Sequence, residues 1–235
     1  SKLRKLSEYI KERATEFYEK EVDWSEIIEE VPVRKTKSGW IVKVFRLPIL
    51  LILKVYFRLT RADKKKLTDE QVIFVSNHQS FIDALVVAGV FPARILKKTS
   101  FLAIDLYFKK GFMKYIAENA NIVVIDINNN IKHTIEEITN ALKQGKNILI
   151  FPEGARTKDG KVGQFKKVFA ILAKELNISV QCIGIKGAFE AYSRYMKFPK
   201  PRKIEVKVLE KFSPEGTYEE IAAKAENIIR EYVEN

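Results

Sequence analysis

The chain has 235 residues, of which 46% are hydrophobic and 31% carry a charge. This composition excludes a disordered, collagenous or low-complexity chain, and the length suits one domain or one domain with a helical extension. The formal net charge of +12 favours a polyanionic partner, namely nucleic acid, an anionic membrane surface or a phosphorylated substrate. The single cysteine, Cys182, cannot form an intramolecular disulfide, and the two histidines and one cysteine predict no metal site.

Residues 1–66 predict a helical segment that lies on a membrane. The first twenty residues are charged throughout and show no signal-peptide pattern. Residues 1–40 carry no net charge, whereas residues 41–66 combine eight basic residues with a single acid. Five cations share one face of a helical wheel, and most of the opposite side is apolar. The longest uncharged run, Leu47–Leu53, is too short to cross a bilayer, and Pro48 predicts a kink or a break.

This pattern is typical of an interfacial helix, with its cations toward lipid phosphates and its apolar side among acyl chains. The alternative is a core helix whose solvent-facing side is basic. The residues predicted to bind the membrane are Trp40, Lys43, Phe45, Arg46, Leu50, Leu51, Lys54, Tyr56, Phe57, Arg58 and Arg61.

Residues 67–235 alternate short β-rich runs with helical runs, which predicts an α/β domain with a mixed, largely parallel sheet flanked by helices. In such sheets function gathers beyond the carboxyl ends of the strands, which singles out loops 77–83 and 152–156. The predicted strands are Val72–Ser76, Ala93–Leu96, Ile122–Asp126, Asn147–Phe151, Ser179–Ile185 and Lys203–Leu209, and the predicted helices are Asp83–Val90, Leu106–Glu118, Lys132–Gln144, Phe165–Leu176 and Tyr218–Val233.

The first loop, Asn77-His-Gln-Ser-Phe-Ile-Asp83, places a histidine and a carboxylate across a strand-to-helix turn. Asp83 would lie in the first helical turn, where its side chain can fold back onto the imidazole of His78. A carboxylate at one ring nitrogen sets the tautomer and leaves the other nitrogen to take a proton from a hydroxyl. The attacking hydroxyl would then belong to a substrate. The alternative is that His78 is an ordinary capped turn residue.

The second loop, Phe151-Pro-Glu-Gly-Ala-Arg156, has the residue types of an anion-binding turn. Gly154 lets the backbone approach a ligand closely, and the planar guanidinium of Arg156 suits phosphate or carboxylate. The alternative is a surface turn with a solvated Glu153 and Arg156.

Taken together, the two loops resemble the glycerolipid acyltransferase family, specifically the bacterial 1-acyl-sn-glycerol-3-phosphate (lysophosphatidic acid) acyltransferases. Loop 77–83 is similar to that family's first block, His-x4-Asp, and loop 151–156 to its third block, usually Phe-Pro-Glu-Gly-Thr-Arg. Two departures stand out: Ala155 replaces the usual Thr or Ser, and Ile127 replaces an arginine commonly assigned to the phosphate of the acceptor.

The resemblance implies transfer of a fatty acyl group from acyl-CoA or acyl carrier protein to the sn-2 hydroxyl of lysophosphatidic acid, without a metal or other cofactor. His78 would be the general base and Asp83 its partner. Glu153 would either bind a glycerol hydroxyl or brace Arg156, and backbone N–H groups near Gly154 would stabilise the oxyanion. The residues expected to bind substrate are Glu153, Gly154, Arg156, Lys97 and Lys98.

Because the acceptor resides in a bilayer, we expect a monotopic protein on the cytoplasmic face of the cell membrane. Two alternatives stay open: the same chemistry on another acceptor, such as glycerol 3-phosphate or another lysophospholipid, and a peripheral lipid-binding protein without turnover. No nucleic acid is expected as a partner, because the cations lie on an apolar helix and no nucleic-acid-binding motif occurs.

Overall fold

A largely parallel sheet forms the centre of the protein in the computed structural model, which describes residues 23–33, 40–63, 66–104, 111, 115, 119–125 and 131–235. Seven strands of this described part pair in the order β1-β7-β6-β2-β5-β3-β4, and each neighbouring pair is parallel except β6 with β7. The strands are β1 (Thr60–Ala62), β2 (Val72–Ser76), β3 (Thr99–Ile104), β4 (Ile122–Ile125), β5 (Asn147–Ile150), β6 (Ser179–Lys186) and β7 (Glu205–Phe212).

Helices cover both faces of the sheet and divide the core into two layers. Alternate residues of β2 enter opposite layers: Ile73 and Val75 pack on one side, and Val72 and Phe74 on the other. A strand buried on both faces needs an unbroken apolar run, which is what β2 supplies. The helices are α1 (Trp24–Glu29), α2 (Trp40–Val55), α3 (Asp83–Val90), α4 (Ala93–Lys98), α5 (Ile131–Lys143), α6 (Val168–Glu175), α7 (Ala188–Tyr192) and α8 (Tyr218–Glu234).

The predicted fold class is confirmed, and one predicted strand is wrong. Residues 93–96 form helix α4, and the strand follows at Thr99–Ile104. A segment as short as Ala93-Arg-Ile-Leu96 does not distinguish a helix from a strand by its periodicity, and the side chains of Ile95 and Leu96 are buried as part of the helix. Most of the predicted helix Leu106–Glu118, together with Asp126 and Ile127, lies outside the described residues.

The sheet begins earlier than the predicted domain boundary at residue 66. Strand β1 pairs in parallel with β7, with Thr60 opposite Glu205. Because α2 ends at Val55, Arg58 lies in the connection and Arg61 in a strand, so the five predicted cations do not share one helix. Pro48 lies inside α2 without dividing it into two helices.

Helix α2 packs against α3, and part of its predicted membrane surface faces the protein instead. The side chain of Phe57 is only 4% exposed, so the prediction that it binds a membrane is wrong. Arg46 Nη2 donates to the carbonyl of Phe91 at 3.0 Å, and Arg61 Nη1 donates to that of Val90 at 2.7 Å. These two guanidiniums stabilise the carboxyl end of α3, where a helix dipole favours cations, and the expectation that they face lipid is not met.

The rest of α2 leaves a row of apolar side chains exposed to solvent. Among the predicted membrane residues, Phe45, Leu51, Lys54, Tyr56 and Arg58 are exposed, Leu50 is half-buried, and the side chains of Trp40 and Lys43 are not described. Within the described residues no helix is both long enough and apolar enough to span a bilayer. We call the exposed apolar side chains of the helix the α2 apolar face: Val44, Phe45, Leu47, Leu51, Ile52 and Val55.

Candidate active site

The sheet order brings the two predicted loops together. Strands β2 and β5 are parallel neighbours, with Val75 opposite Ile150, so the loops that follow them leave the same edge of the sheet. The backbone N–H of Thr157 donates to the carbonyl of His78 at 2.8 Å, which joins the two loops directly.

His78 and Asp83 form the histidine–carboxylate pair that their spacing predicts. The distance from His78 Nδ1 to Asp83 Oδ2 is 2.7 Å, and Asp83 is completely buried in the first turn of α3. The same oxygen accepts the backbone N–H groups of Gln79 at 2.6 Å and Ser80 at 2.7 Å. These donors and the amino end of the helix stabilise a buried negative charge.

The imidazole of His78 is positioned to take a proton. Because the carboxylate of Asp83 only accepts hydrogen bonds, Nδ1 carries the proton and Nε2 is the basic nitrogen. The ring stacks on Phe151 with centroids 4.4 Å apart, and the His78 side chain is 24% exposed. No described residue is hydrogen-bonded to Nε2, so this nitrogen is accessible to a hydroxyl group that enters from solvent.

Glu153 braces the loops and forms no hydrogen bond or ion pair with Arg156. Its Oε1 accepts the backbone N–H of His78 at 2.7 Å, and its Oε2 accepts that of Gly163 at 3.1 Å. Burial raises the pKa of the Glu153 carboxyl above its usual value, although the two backbone hydrogen bonds act in the opposite direction. The carboxyl group therefore sets the position of the His78 backbone.

Arg156 lies at the mouth of the site, one residue before the Thr157 N–H that is hydrogen-bonded to His78, and its guanidinium lies over an aromatic ring. Its Cζ is 3.3 Å from the ring centroid of Phe81, which is 46% exposed. The Nη1 atom of Arg156 is buried and has no hydrogen-bond partner among the described residues. A buried donor of this kind needs a partner, which a water molecule or an anionic oxygen can supply.

Gly154 has a local structural reason for being glycine. Its φ is +71°, which residues other than glycine rarely adopt, whereas the nearest atom to a Cβ there, Lys166 Nζ at 2.8 Å, is the movable end of a side chain. Its backbone N–H donates to the carbonyl of Phe151 at 3.1 Å and closes the turn. That N–H is therefore occupied and is not free to serve as one of the oxyanion donors predicted near Gly154.

Two residues of the first loop have a role that the sequence analysis did not identify. The Asn77 side chain donates to the carbonyl of Ile185 at 3.0 Å and accepts its N–H at 2.8 Å, which ties the loop to β6. Ser80 Oγ donates to the carbonyl of Tyr192 at 2.7 Å, at the end of α7. A short polar residue directly after a buried strand is the signal for such a tie, but the partner strand is not local in sequence.

Lys97 and Lys98 are not brought to this site. They end helix α4 and directly precede β3, whose first residue, Thr99, lies opposite Asn147 at the amino end of β5. His78 and Arg156 follow the carboxyl ends of β2 and β5, at the opposite edge of the sheet. The expectation that either lysine joins Arg156 beside His78 is therefore not met.

The fold and the site together describe an α/β protein whose histidine–carboxylate pair and Arg156 loop lie at the carboxyl ends of neighbouring parallel strands. The acyltransferase family model matches residues 58–186, which is more than half of the chain and contains both loops. The chain therefore belongs to the acyltransferase family, as its resemblance predicts.

Solved and curated relatives agree with this assignment. The 1-acyl-sn-glycerophosphate (LPA) acyltransferase PlsC of Thermotoga maritima superposes with a TM-score of 0.66 at 25% identity, covering 82% of this chain and 79% of that one. Chloroplastic LPAT1 of Arabidopsis thaliana is 27% identical over 121 residues, which are 51% of this chain and 33% of the relative. Mouse 1-acyl-sn-glycerol-3-phosphate acyltransferase alpha is 29% identical over 161 residues, 66% of this chain and 55% of the relative. The chain thus spans between a third and just over half of these curated relatives.

Proposed function

We propose that this protein transfers a fatty acyl group from acyl-CoA or acyl carrier protein to the sn-2 hydroxyl of 1-acyl-sn-glycerol 3-phosphate, which yields phosphatidic acid. The observation that carries the proposal is the 2.7 Å contact between His78 Nδ1 and Asp83 Oδ2 at the edge of the sheet where Arg156 lies. The relatives named above, which are 1-acyl-sn-glycerol-3-phosphate acyltransferases by name, support the choice of acceptor.

In the proposed reaction His78 Nε2 takes the proton from the sn-2 hydroxyl as its oxygen attacks the thioester carbonyl. The carboxylate of Asp83 stabilises the imidazolium that forms. The tetrahedral intermediate collapses by breaking the carbon–sulfur bond, and the imidazolium returns its proton to the departing thiolate. Such base catalysis is worth about 10²–10⁴-fold in rate, and the positioning of both substrates supplies the remainder.

The acceptor phosphate and the oxyanion of the tetrahedral intermediate have separate binding groups in this proposal. Arg156 holds the acceptor phosphate through its guanidinium, one nitrogen of which lacks a partner among the described residues. The backbone N–H groups of Ala155 and Arg156 are the candidate oxyanion donors, because no described residue accepts a hydrogen bond from them. Every step uses groups of this chain, and we propose no metal or other cofactor.

We further propose that α2 holds the protein on the cytoplasmic face of the membrane without crossing it. The α2 apolar face is wide and exposed, and Lys54 and Arg58 beside it are exposed cations. Apolar side chains among the acyl chains and cations at the lipid phosphates would bring the site to a bilayer-resident acceptor, while the thioester donor arrives from water.

The test is acyl transfer from one acyl-CoA to a panel of acceptors: lysophosphatidic acid, glycerol 3-phosphate and other lysophospholipids. We expect phosphatidic acid from lysophosphatidic acid, and no transfer by His78→Ala although this variant still binds vesicles. Preference for another acceptor would keep acyl transfer but change the proposed substrate, an alternative that stays open because Ile127 replaces the usual phosphate-binding arginine. Transfer that persists in His78→Ala contradicts the mechanism, and no transfer by the wild type supports a lipid-binding protein without turnover.

A further inference from the structure

A second surface beside the site combines exposed aromatic rings with unpaired cations. Residues 193–203, which we call the basic aromatic loop, hold five cations and no acid. Tyr195 is 68% exposed and Phe198 is 71% exposed, which is unusual for side chains of this size. Four of the cations form no ion pair with any described acid: Arg194, Lys197, Lys200 and Arg202.

The basic aromatic loop has a defined shape. The backbone N–H of Lys200 donates to the carbonyl of Ala191 at 2.8 Å, which closes the loop at its base, and that of Met196 donates to Ser193 at 3.1 Å, which forms a turn near the tip. Lys197 Nζ lies 5.6 Å from the ring centroid of Phe198, and Arg194 Cζ lies 5.9 Å from that of Tyr195. Each exposed ring thus has a cation beside it.

The loop contacts both the candidate site and the end of α2. Arg194 Nη1 donates to the carbonyl of Arg156 at 3.3 Å, and Ser80 Oγ donates to that of Tyr192 just before the loop. On the other side, Tyr56 Oη donates to the carbonyl of Pro199 at 2.9 Å, directly after α2. The loop therefore joins the mouth of the site to the helix with the α2 apolar face.

We propose that the basic aromatic loop is a second membrane contact, which places the mouth of the site against an anionic lipid surface. Aromatic rings flanked by cations suit the boundary between acyl chains and lipid phosphates. An acidic protein is the other polyanion that such cations could bind. The direct continuity with α2 through Tyr56 favours the bilayer, because an apolar helix face and two exposed rings then share one partner.

The inference rests on the proposed function for its purpose, but it is tested by binding without turnover. The 235-residue chain is sedimented with phosphatidylcholine vesicles that contain phosphatidylglycerol. The double variant Lys197→Gln with Lys200→Gln is compared with a control that loses the same charge at the opposite edge of the sheet, Lys97→Gln with Lys98→Gln. We expect about fivefold weaker partitioning for each loop lysine, roughly 25-fold in all, and wild-type partitioning for the control.

A labelling experiment tests the contact without removing charge. Cys182 is buried, so a cysteine introduced by Phe198→Cys is selectively modified with a polarity-sensitive dye. Anionic vesicles should shift its emission to the blue, whereas the dye on Lys97→Cys should not respond. Equal partitioning of the two lysine double variants, or no shift at position 198, overturns the inference.

Activity separates this inference from the proposed function. With a short-chain lysophosphatidic acid dissolved in buffer, the loop variants should turn over like the wild type, whereas with the acceptor in vesicles they should be slower. Loss of activity on the dissolved acceptor would assign the loop to substrate binding, and loss only with acyl carrier protein as donor would assign it to an acidic protein. Either result overturns the membrane contact. A wild type that binds vesicles through the loop but transfers no acyl group contradicts the proposed function alone.

Discussion

Replacing Asp83 with asparagine tests the histidine–carboxylate pair most directly. One oxygen of this buried carboxylate accepts three N–H groups, from His78, Gln79 and Ser80, at 2.6–2.7 Å. An asparagine oxygen can keep these contacts, but without charge. A hydrogen bond to a charged group is worth about 1 kcal/mol more than a neutral one, so three bonds cost up to about 3 kcal/mol of folding free energy. The neutral amide also avoids the free-energy cost of burying a carboxylate charge, which offsets part of this loss.

The effect on catalysis should be larger than the effect on folding. In Asp83→Asn the imidazolium of His78 loses its counter-charge, and an amide N–H turned toward Nδ1 would put the proton on Nε2 instead. We expect kcat to fall about 10²–10⁴-fold, which raises the barrier by about 3–5 kcal/mol, while KM for the acceptor changes little. The assay is the initial rate of CoA release with lysophosphatidic acid, at a temperature where urea unfolding shows the variant to be folded.

A double variant of His78 and Asp83 shows whether the two residues act as one catalytic unit. If Asp83 acts only through His78, His78→Ala with Asp83→Asn should be no slower than His78→Ala alone. Vesicle binding should remain at the wild-type level in all three variants. A kcat for Asp83→Asn within about twofold of the wild type, or losses that multiply in the double variant, would refute the reasoning.

Three further predictions follow from the site. Arg156→Lys keeps the charge but loses the planar fork that stacks on Phe81, so KM for lysophosphatidic acid should rise about tenfold; an unchanged KM contradicts phosphate binding by Arg156. Asn77→Ala leaves the buried N–H and carbonyl of Ile185 without partners and should cost about 2–4 kcal/mol in urea unfolding; an unchanged unfolding midpoint contradicts the tie between the loop and β6. The raised pKa of Glu153 means that the folded protein binds the proton of this carboxyl more tightly than the unfolded chain does. Protonation of Glu153 therefore stabilises the folded state. This contribution is fully present below the ordinary pKa of 4.5 and is lost as the pH rises through the folded-state pKa. The stability advantage of the wild type over Glu153→Gln should therefore shrink with rising pH, and a difference independent of pH would show that the carboxyl is not shifted.

The sequence alone determined the local parts of the site. Strand β2 and helix α3 have the predicted bounds, because an unbroken apolar run and the residues that end it are local signals. The five-residue separation of His78 and Asp83 was enough to predict their contact, since a strand-to-helix turn brings these positions together. Gly154 was recognised, but its positive φ and its occupied N–H became apparent only from the folded turn.

Only the tertiary structure decided which distant segments meet. Glu153 contacts the backbone of His78 across 75 residues because β5 lies beside β2, and strand order is a non-local property. The same strand order places Lys97 and Lys98 at the amino end of β5, at the edge of the sheet opposite to His78 and Arg156. A helical wheel likewise shows which side of α2 is apolar but not what covers it, so Phe57 proved to be core and Arg46 a cap for α3. Secondary structure follows from local periodicity, whereas the partner of each face depends on how the whole chain packs.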